Sequence, residues 1–148
     1  MLTLENQIVD ISELDSLSLI LSKKLKIGDL LLLKGELGIG KTTFSRFIIN
    51  NLYSLSNLKK PTIIKSPTFP ILLTYDLSSY EIYHYDFYRI NNLKELEELD
   101  FFENINNSIT LIEWPELLIN MPFNKKYYLI NFDEHSEKTR LINIKLFE

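Results

Sequence analysis

Eight consecutive residues, Gly35-Glu36-Leu37-Gly38-Ile39-Gly40-Lys41-Thr42, carry the densest chemical signal in the chain. They satisfy the spacing G-x-x-x-x-G-K-[ST], in which each residue type has a task at a triphosphate. Gly35, Gly38 and Gly40 lack side chains, so the backbone can curl and aim its N–H groups at phosphate oxygens. A helix opening near Lys41 adds the positive end of its dipole to the same anion. Lys41 is long enough to reach the β- and γ-phosphates, and the Thr42 hydroxyl is placed to ligate Mg²⁺. Gly35, Gly38, Ile39, Gly40, Lys41 and Thr42 are therefore the expected nucleotide-binding residues. A guanine-reading N-K-x-D segment is absent, so ATP rather than GTP is the expected nucleotide.

Such a loop needs an acidic residue at the end of a nearby strand to hold Mg²⁺ or its water shell. Two carboxylates qualify. Glu113 ends the apolar run Ile109-Thr110-Leu111-Ile112; if that strand lies parallel beside Leu30 to Leu33, both C-terminal ends meet at the phosphate. Asp86 ends another strand, and period-two geometry puts Ile82, His84 and Asp86 on one face. For either acid the plain alternative is a surface or capping carboxylate. His84 has two readings as well: it orients a water or a carboxylate, or it is a satisfied, half-buried strand residue. Tyr83, Tyr85, Phe87 and Tyr88 around it read mainly as core and interface. Trp114, the only tryptophan, is read as packing rather than as a platform for a base or partner.

The surrounding elements are in the order phosphate binding requires. Leu30 to Leu33 is a continuous apolar run, the mark of a strand covered on both faces, as in parallel sheets. The glycine loop follows at once, and Phe44, Phe47, Ile48, Leu52 and Leu55 then keep helical period. Upstream, Leu2 to Ile11 is expected to be an edge strand. A helix should follow, capped by Ser12 with Asp15 three residues on, its stripe Leu14, Leu17, Leu21 and Leu25 ending at Gly28-Asp29. Downstream, Ile71 to Asp76 and Tyr80 to Asp86 flank a short turn and predict a hairpin. Lys94 to Leu99 reads as helix, and Pro115 fits the first turn of another. Tyr127 to Phe132 and Arg140 to Phe147 predict a second hairpin, Ile142, Ile144 and Leu146 alternating as a half-buried strand should. The sum is an α/β chain with a mixed sheet and few helices, and one nucleotide-binding domain over 1–148.

Composition narrows the setting. At 45% hydrophobic residues the chain can build a core. No apolar run reaches the roughly 18 residues of a membrane span, and the start lacks a basic, cleavable leader. Cysteine is absent, which removes disulfides and thiolate metal sites and fits a reducing, cytoplasmic setting. With a net charge of −4 and only isolated lysine pairs, the chain lacks the clustered cations that grip a nucleic-acid backbone. Contact with RNA is thus expected to come mainly through a partner.

Four segments in order carry a resemblance. They are Gly35 to Arg46, Ser66-Pro67-Thr68-Phe69, His84-Tyr85-Asp86-Phe87-Tyr88-Arg89 and Glu113-Trp114-Pro115. Together they resemble TsaE (YjeE-type), the bacterial ATPase family of tRNA threonylcarbamoyladenosine (t6A) modification. The resemblance implies a small three-layer P-loop NTPase-like fold, with a mostly parallel central sheet and antiparallel additions. It implies ATP and Mg²⁺ as cofactors, TsaD and TsaB as partners, and hydrolysis that depends on them. On the matched motifs, Thr42 and Glu113 would coordinate Mg²⁺, Asp86 would be the essential acid near the γ-phosphate, and Thr43 would assist there. Lys41 would hold the triphosphate, and Ser66, Pro67 and Thr68 would form a switch-like loop. This chain has Glu36 where the family usually has Asp, Ile39 where a small residue is common, and Phe69 where Tyr is frequent. Side chain 39 is expected to point away from phosphate.

Two other readings share the loop. A small-molecule kinase would need an arginine-rich lid, which no segment supplies. A nucleotide-switched binding module would need no catalysis. Arg46, Arg89 and Arg140 are the in-chain candidates for an arginine finger, and none follows a finger pattern.

Overall fold

The computed structural model describes residues 3–121 and 124–148. Its centre is the strand β2 (Leu30–Lys34), whose four leucines are wholly inaccessible to solvent. Two parallel neighbours enclose it, β5 (Ser108–Glu113) and β6 (Tyr127–Glu134). Successive side chains of a strand point to opposite faces, so the four leucines divide between two cores. Leu31 and Leu33 join Leu21, Phe44, Ile48 and Ile130, while Leu30 and Leu32 join Tyr85, Phe87, Phe101 and Ile112. The helices α1 (Ile11–Ser22) and α2 (Lys41–Leu55) cover the first face. The second carries three short helices, α3 (Leu93–Glu98), α4 (Phe101–Asn104) and α5 (Glu116–Ile119). The result is three layers, as expected.

Among the described residues the sheet has seven strands in the order β1-β7-β6-β2-β5-β4-β3. The parallel block β6-β2-β5-β4 lies in the middle, with β4 spanning Glu81–Asp86. One edge is an antiparallel hairpin partner, β3 (Leu72–Asp76). At the other, β7 (Arg140–Phe147) runs against both β6 and β1 (Leu4–Val9). Five strands thus point one way, with β3 and β7 opposed. Both predicted hairpins are present, and the sheet is mixed and mostly parallel.

Several local expectations need correction. The first helix is capped by Asp10, not Ser12: the Glu13 backbone N–H donates to Asp10 Oδ1 at 2.8 Å, and Glu13 Oε1 accepts from the Asp10 N–H at 3.2 Å. Glu13 has the length to reach back to the cap and so close both bonds of a capping box, whereas the Asp15 carboxylate is one methylene shorter. The preceding strand consequently ends at Val9 rather than Ile11, and its expected start at Leu2 lies outside the described residues. Leu25 falls beyond α1 but still packs on the core. On α2, Leu55 is exposed and Tyr53 takes the buried position, its hydroxyl donating to the Asp76 carbonyl at 2.9 Å. Pro115 precedes α5 as its cap instead of opening its first turn. The single-turn helix α4 was not legible, because four residues do not establish a period.

Candidate functional site

The parallel register brings three strand ends into one row. Leu33 pairs with Glu113, and Glu113 pairs with Asp86, so the acids stand side by side next to the strand that feeds the loop. Neighbouring strands are about 4.8 Å apart, a spacing that lets both carboxylates face one small ligand. The backbones are also tied, the Phe87 N–H donating to the Glu113 carbonyl at 2.9 Å.

The loop owes its curl to glycine at specific positions. A Cβ on Gly35 would stand 2.8 Å from the Phe132 carbonyl oxygen and 2.8 Å from Ile39 Cγ2, so the loop lies directly on β6. Gly40 caps α2 at φ +124°, a conformation that side chains rarely adopt. Ile39 is buried in the core between them, pointing away from the concave side as expected. Arg140 secures the loop from behind, its Nε donating to the Ile39 carbonyl at 3.0 Å.

Lys41 folds back over this curl. Its Nζ donates to the carbonyls of Gly35 and Glu36, and lies 4.2 Å from the centre of the Trp114 ring. Burial lowers its pKa below the ordinary lysine value of 10.5, and the carboxylates of Glu113, Glu116, Asp86 and Glu36 partly oppose that shift. The Thr42 hydroxyl donates to Glu113 Oε1 at 2.6 Å. The other carboxylate oxygen, Oε2, is 2.6 Å from His84 Nε2. Asp86 is held separately: Oδ1 accepts from the Tyr88 N–H at 2.8 Å, and Oδ2 from the Thr68 hydroxyl at 3.3 Å.

Most of the expected residues converge. Gly38, Gly40, Lys41, Thr42, Thr43, Thr68, Asp86 and Glu113 line one cleft of about 150 Å³, together with Leu37 and Trp114. Gly35 and Ile39 support it from behind. Of the predicted switch-like loop only Thr68 lines the cleft. Ser66 bonds to the Thr68 hydroxyl at 2.8 Å, and Pro67 is buried, its carbonyl accepting from the Ile71 N–H. Arg89 braces this loop by donating to the carbonyls of Thr68 and Phe69. With Arg46 on the Ile64 carbonyl and Arg140 on Ile39, each finger candidate is committed to main chain.

Trp114 carries more than the sequence reading assigned, and His84 follows the first of its two readings. Trp114, read as packing, caps Lys41 from a left-handed backbone conformation at φ +57°, with Tyr88 edge-on against it at 4.9 Å. His84 is completely buried rather than half-buried and contacts the site carboxylate. The available signal for His84 was its place two residues before Asp86 on the same strand face.

The geometry accords with the similarities found among known proteins. A family model described as "Threonylcarbamoyl adenosine biosynthesis protein TsaE" matches residues 8–142. The chain belongs to the TsaE family. A TsaE of Rickettsia felis is 38% identical over 144 residues, covering 97% of this chain and 78% of that protein. For Rickettsia conorii the figures are 43% identity, 72% of this chain and 58% of the relative. A more distant TsaE, from Borreliella burgdorferi, is 31% identical over 73% of this chain and 75% of its own length. Among solved structures, the crystal structure of YdiB from Bacillus subtilis superposes with a TM-score of 0.62 at 22% identity, over 97% of this chain and 86% of that one. This last likeness concerns the fold, which this TsaE-family chain shares in its P-loop-like layering. Among the described residues no helix is long and apolar enough to cross a membrane.

Proposed function

We propose that the chain, as one domain over 1–148, binds Mg·ATP and hydrolyses it slowly in support of t6A modification of tRNA in the cytoplasm, with TsaD and TsaB as partners. The observation that carries this reading is the convergence of Lys41, Thr42, Asp86 and Glu113 on one cleft at the mouth of the glycine loop.

The donor set suits Mg²⁺. The ion takes hard oxygen ligands, keeps several waters, and is held by one or two carboxylates together with phosphate oxygens. The Glu113 carboxylate oxygen Oε1 and the hard hydroxyl oxygen of Thr42, already 2.6 Å apart, fit that preference. Mg²⁺ would supply charge neutralisation at the β- and γ-phosphates. The chain's own residues do the rest. Lys41 exchanges its loop carbonyls for phosphate oxygens, and the N–H groups of the loop cradle the chain of phosphates. Asp86, fixed by the Tyr88 N–H, accepts a hydrogen bond from the attacking water and orients it.

A second groove, of about 530 Å³, continues from Gly38, Gly40 and Thr43 to Val9, Ile11 and Arg140. In this reading it receives the nucleoside end, because it shares the loop with the phosphate cleft but contains neither site acid. With every arginine candidate bound to backbone, efficient hydrolysis depends on the partner assembly, and the arginine-rich lid of a kinase has no counterpart here. The net charge of −4 likewise assigns tRNA contact mainly to the partners.

The deciding experiment is reconstitution of t6A formation with TsaD, TsaB, tRNA and ATP. The wild-type chain restores modification and Lys41→Ala does not. Full modification with Lys41→Ala, or rapid ATP turnover by the isolated chain that TsaD–TsaB leaves unchanged, would overturn the reading.

A further inference from the structure

The geometry points to His84 as a positioning residue that presets Glu113 for its cation, an inference that rests on the Mg·ATP reading above. His84 lies in β4, in register with Leu73 of β3 and Leu111 of β5, and is completely excluded from solvent. Leucine or phenylalanine would fill an apolar layer without leaving a polar atom unpaired. His84 leaves one: Nδ1 is buried without a hydrogen-bond partner. Everything the ring offers in hydrogen bonding goes to Glu113 Oε2, at 2.6 Å. An ionised carboxylate only accepts, so Nε2 carries the proton of that bond.

The bond divides the labour between the two carboxylate oxygens. The terminal torsion of a glutamate is broad and lets either oxygen turn toward a ligand. Here Oε2 is tied down by His84 and Oε1 is turned to Thr42. A cation on the Thr42 oxygen takes one of its lone pairs and leaves the O–H free to donate, but Thr42 and Oε1 both then answer to the cation, whereas the bond from His84 to Oε2 does not. His84 is then the contact that keeps Oε1 aimed at the cleft. Partners of this kind behind a metal-binding carboxylate are worth about 10–100-fold in metal affinity.

The test is a magnesium titration of ADP binding, followed by Trp114 emission and by a fluorescent ADP analogue, on folded wild type and three variants. His84→Gln can carry an amide N–H to about the position of Nε2, His84→Asn falls one methylene short, and His84→Leu has no donor. The expected result is unchanged ADP binding in EDTA for all variants. His84→Leu and His84→Asn need about 10–100-fold more Mg²⁺ for the gain in affinity, and His84→Gln recovers most of that loss. Circular dichroism melting identifies any variant that fails to fold; should His84→Leu fail, the Gln and Asn pair decides. A wild-type magnesium dependence in His84→Asn or His84→Leu, or equal loss in Gln and Asn, overturns the assignment while leaving the Mg·ATP reading intact. Absence of any magnesium dependence in the wild type sinks both.

Discussion

Lys41 and Asp86 are set in the site in opposite ways. Lys41 carries its charge against the cost of burial, which lowers its pKa from 10.5. Between the folded and unfolded values the unfolded chain binds more protons, so this group's contribution to stability rises with pH through that window. Phosphate affinity runs the other way, because deprotonated Lys41 offers no positive charge. ADP affinity measured from pH 8 upward should therefore fall before pH 10.5 is reached, while the melting temperature shows no matching loss from this group. Asp86, by contrast, is held by two neutral donors, the Tyr88 N–H and the Thr68 hydroxyl. Asp86→Asn keeps an acceptor for the first and a polar partner for the second, so it isolates the charge. Nucleotide binding should survive this change. Partner-dependent ATP turnover should drop by about 10²-fold or more, the scale of a lost acid–base group. Wild-type turnover in this variant would remove Asp86 from the chemistry.

The loop and its flanking helices work because strand, curl and cap agree. Gly35 is the tightest point, since β6 leaves no room for a Cβ. Gly35→Ala should cost about 1–3 kcal/mol, the usual range for overpacking, and should also displace the loop N–H groups proposed to cradle phosphate. Differential scanning calorimetry and ADP titration should register both losses together. Asp10→Ala tests a different kind of fit. It removes the capping acceptor of α1 and should cost about 0.5–2 kcal/mol, read as a lower melting temperature, because the Glu13 N–H loses its partner.

At the scale of the whole molecule, the two clefts on either side of the loop predict separable functions. Ile11 lies at the outer groove, exposed and remote from both acids in the sheet. Ile11→Asp should weaken ADP and leave inorganic pyrophosphate binding unchanged, as competition titrations can show; equal loss of both would reassign the groove. Much of this arrangement was legible in the residues themselves. The G-x-x-x-x-G-K-T loop, the apolar run before it and the helical period after it are local patterns, so the strand, curl and helix could be read without a partner in view. Asp86 and Glu113 were legible as strand-end acids, but nothing local says which strands are neighbours. That depends on pairing between segments far apart in the chain, and only the folded register sets Leu33, Glu113 and Asp86 in one row. The same holds for His84 on Glu113, for Trp114 over Lys41, and for the arginines bound to loop carbonyls. Sequence alone laid out the glycine loop and its flanking strand and helix, because that pattern is written in consecutive positions. Tertiary structure decided which side chains stand behind them, because that support is made across the sheet.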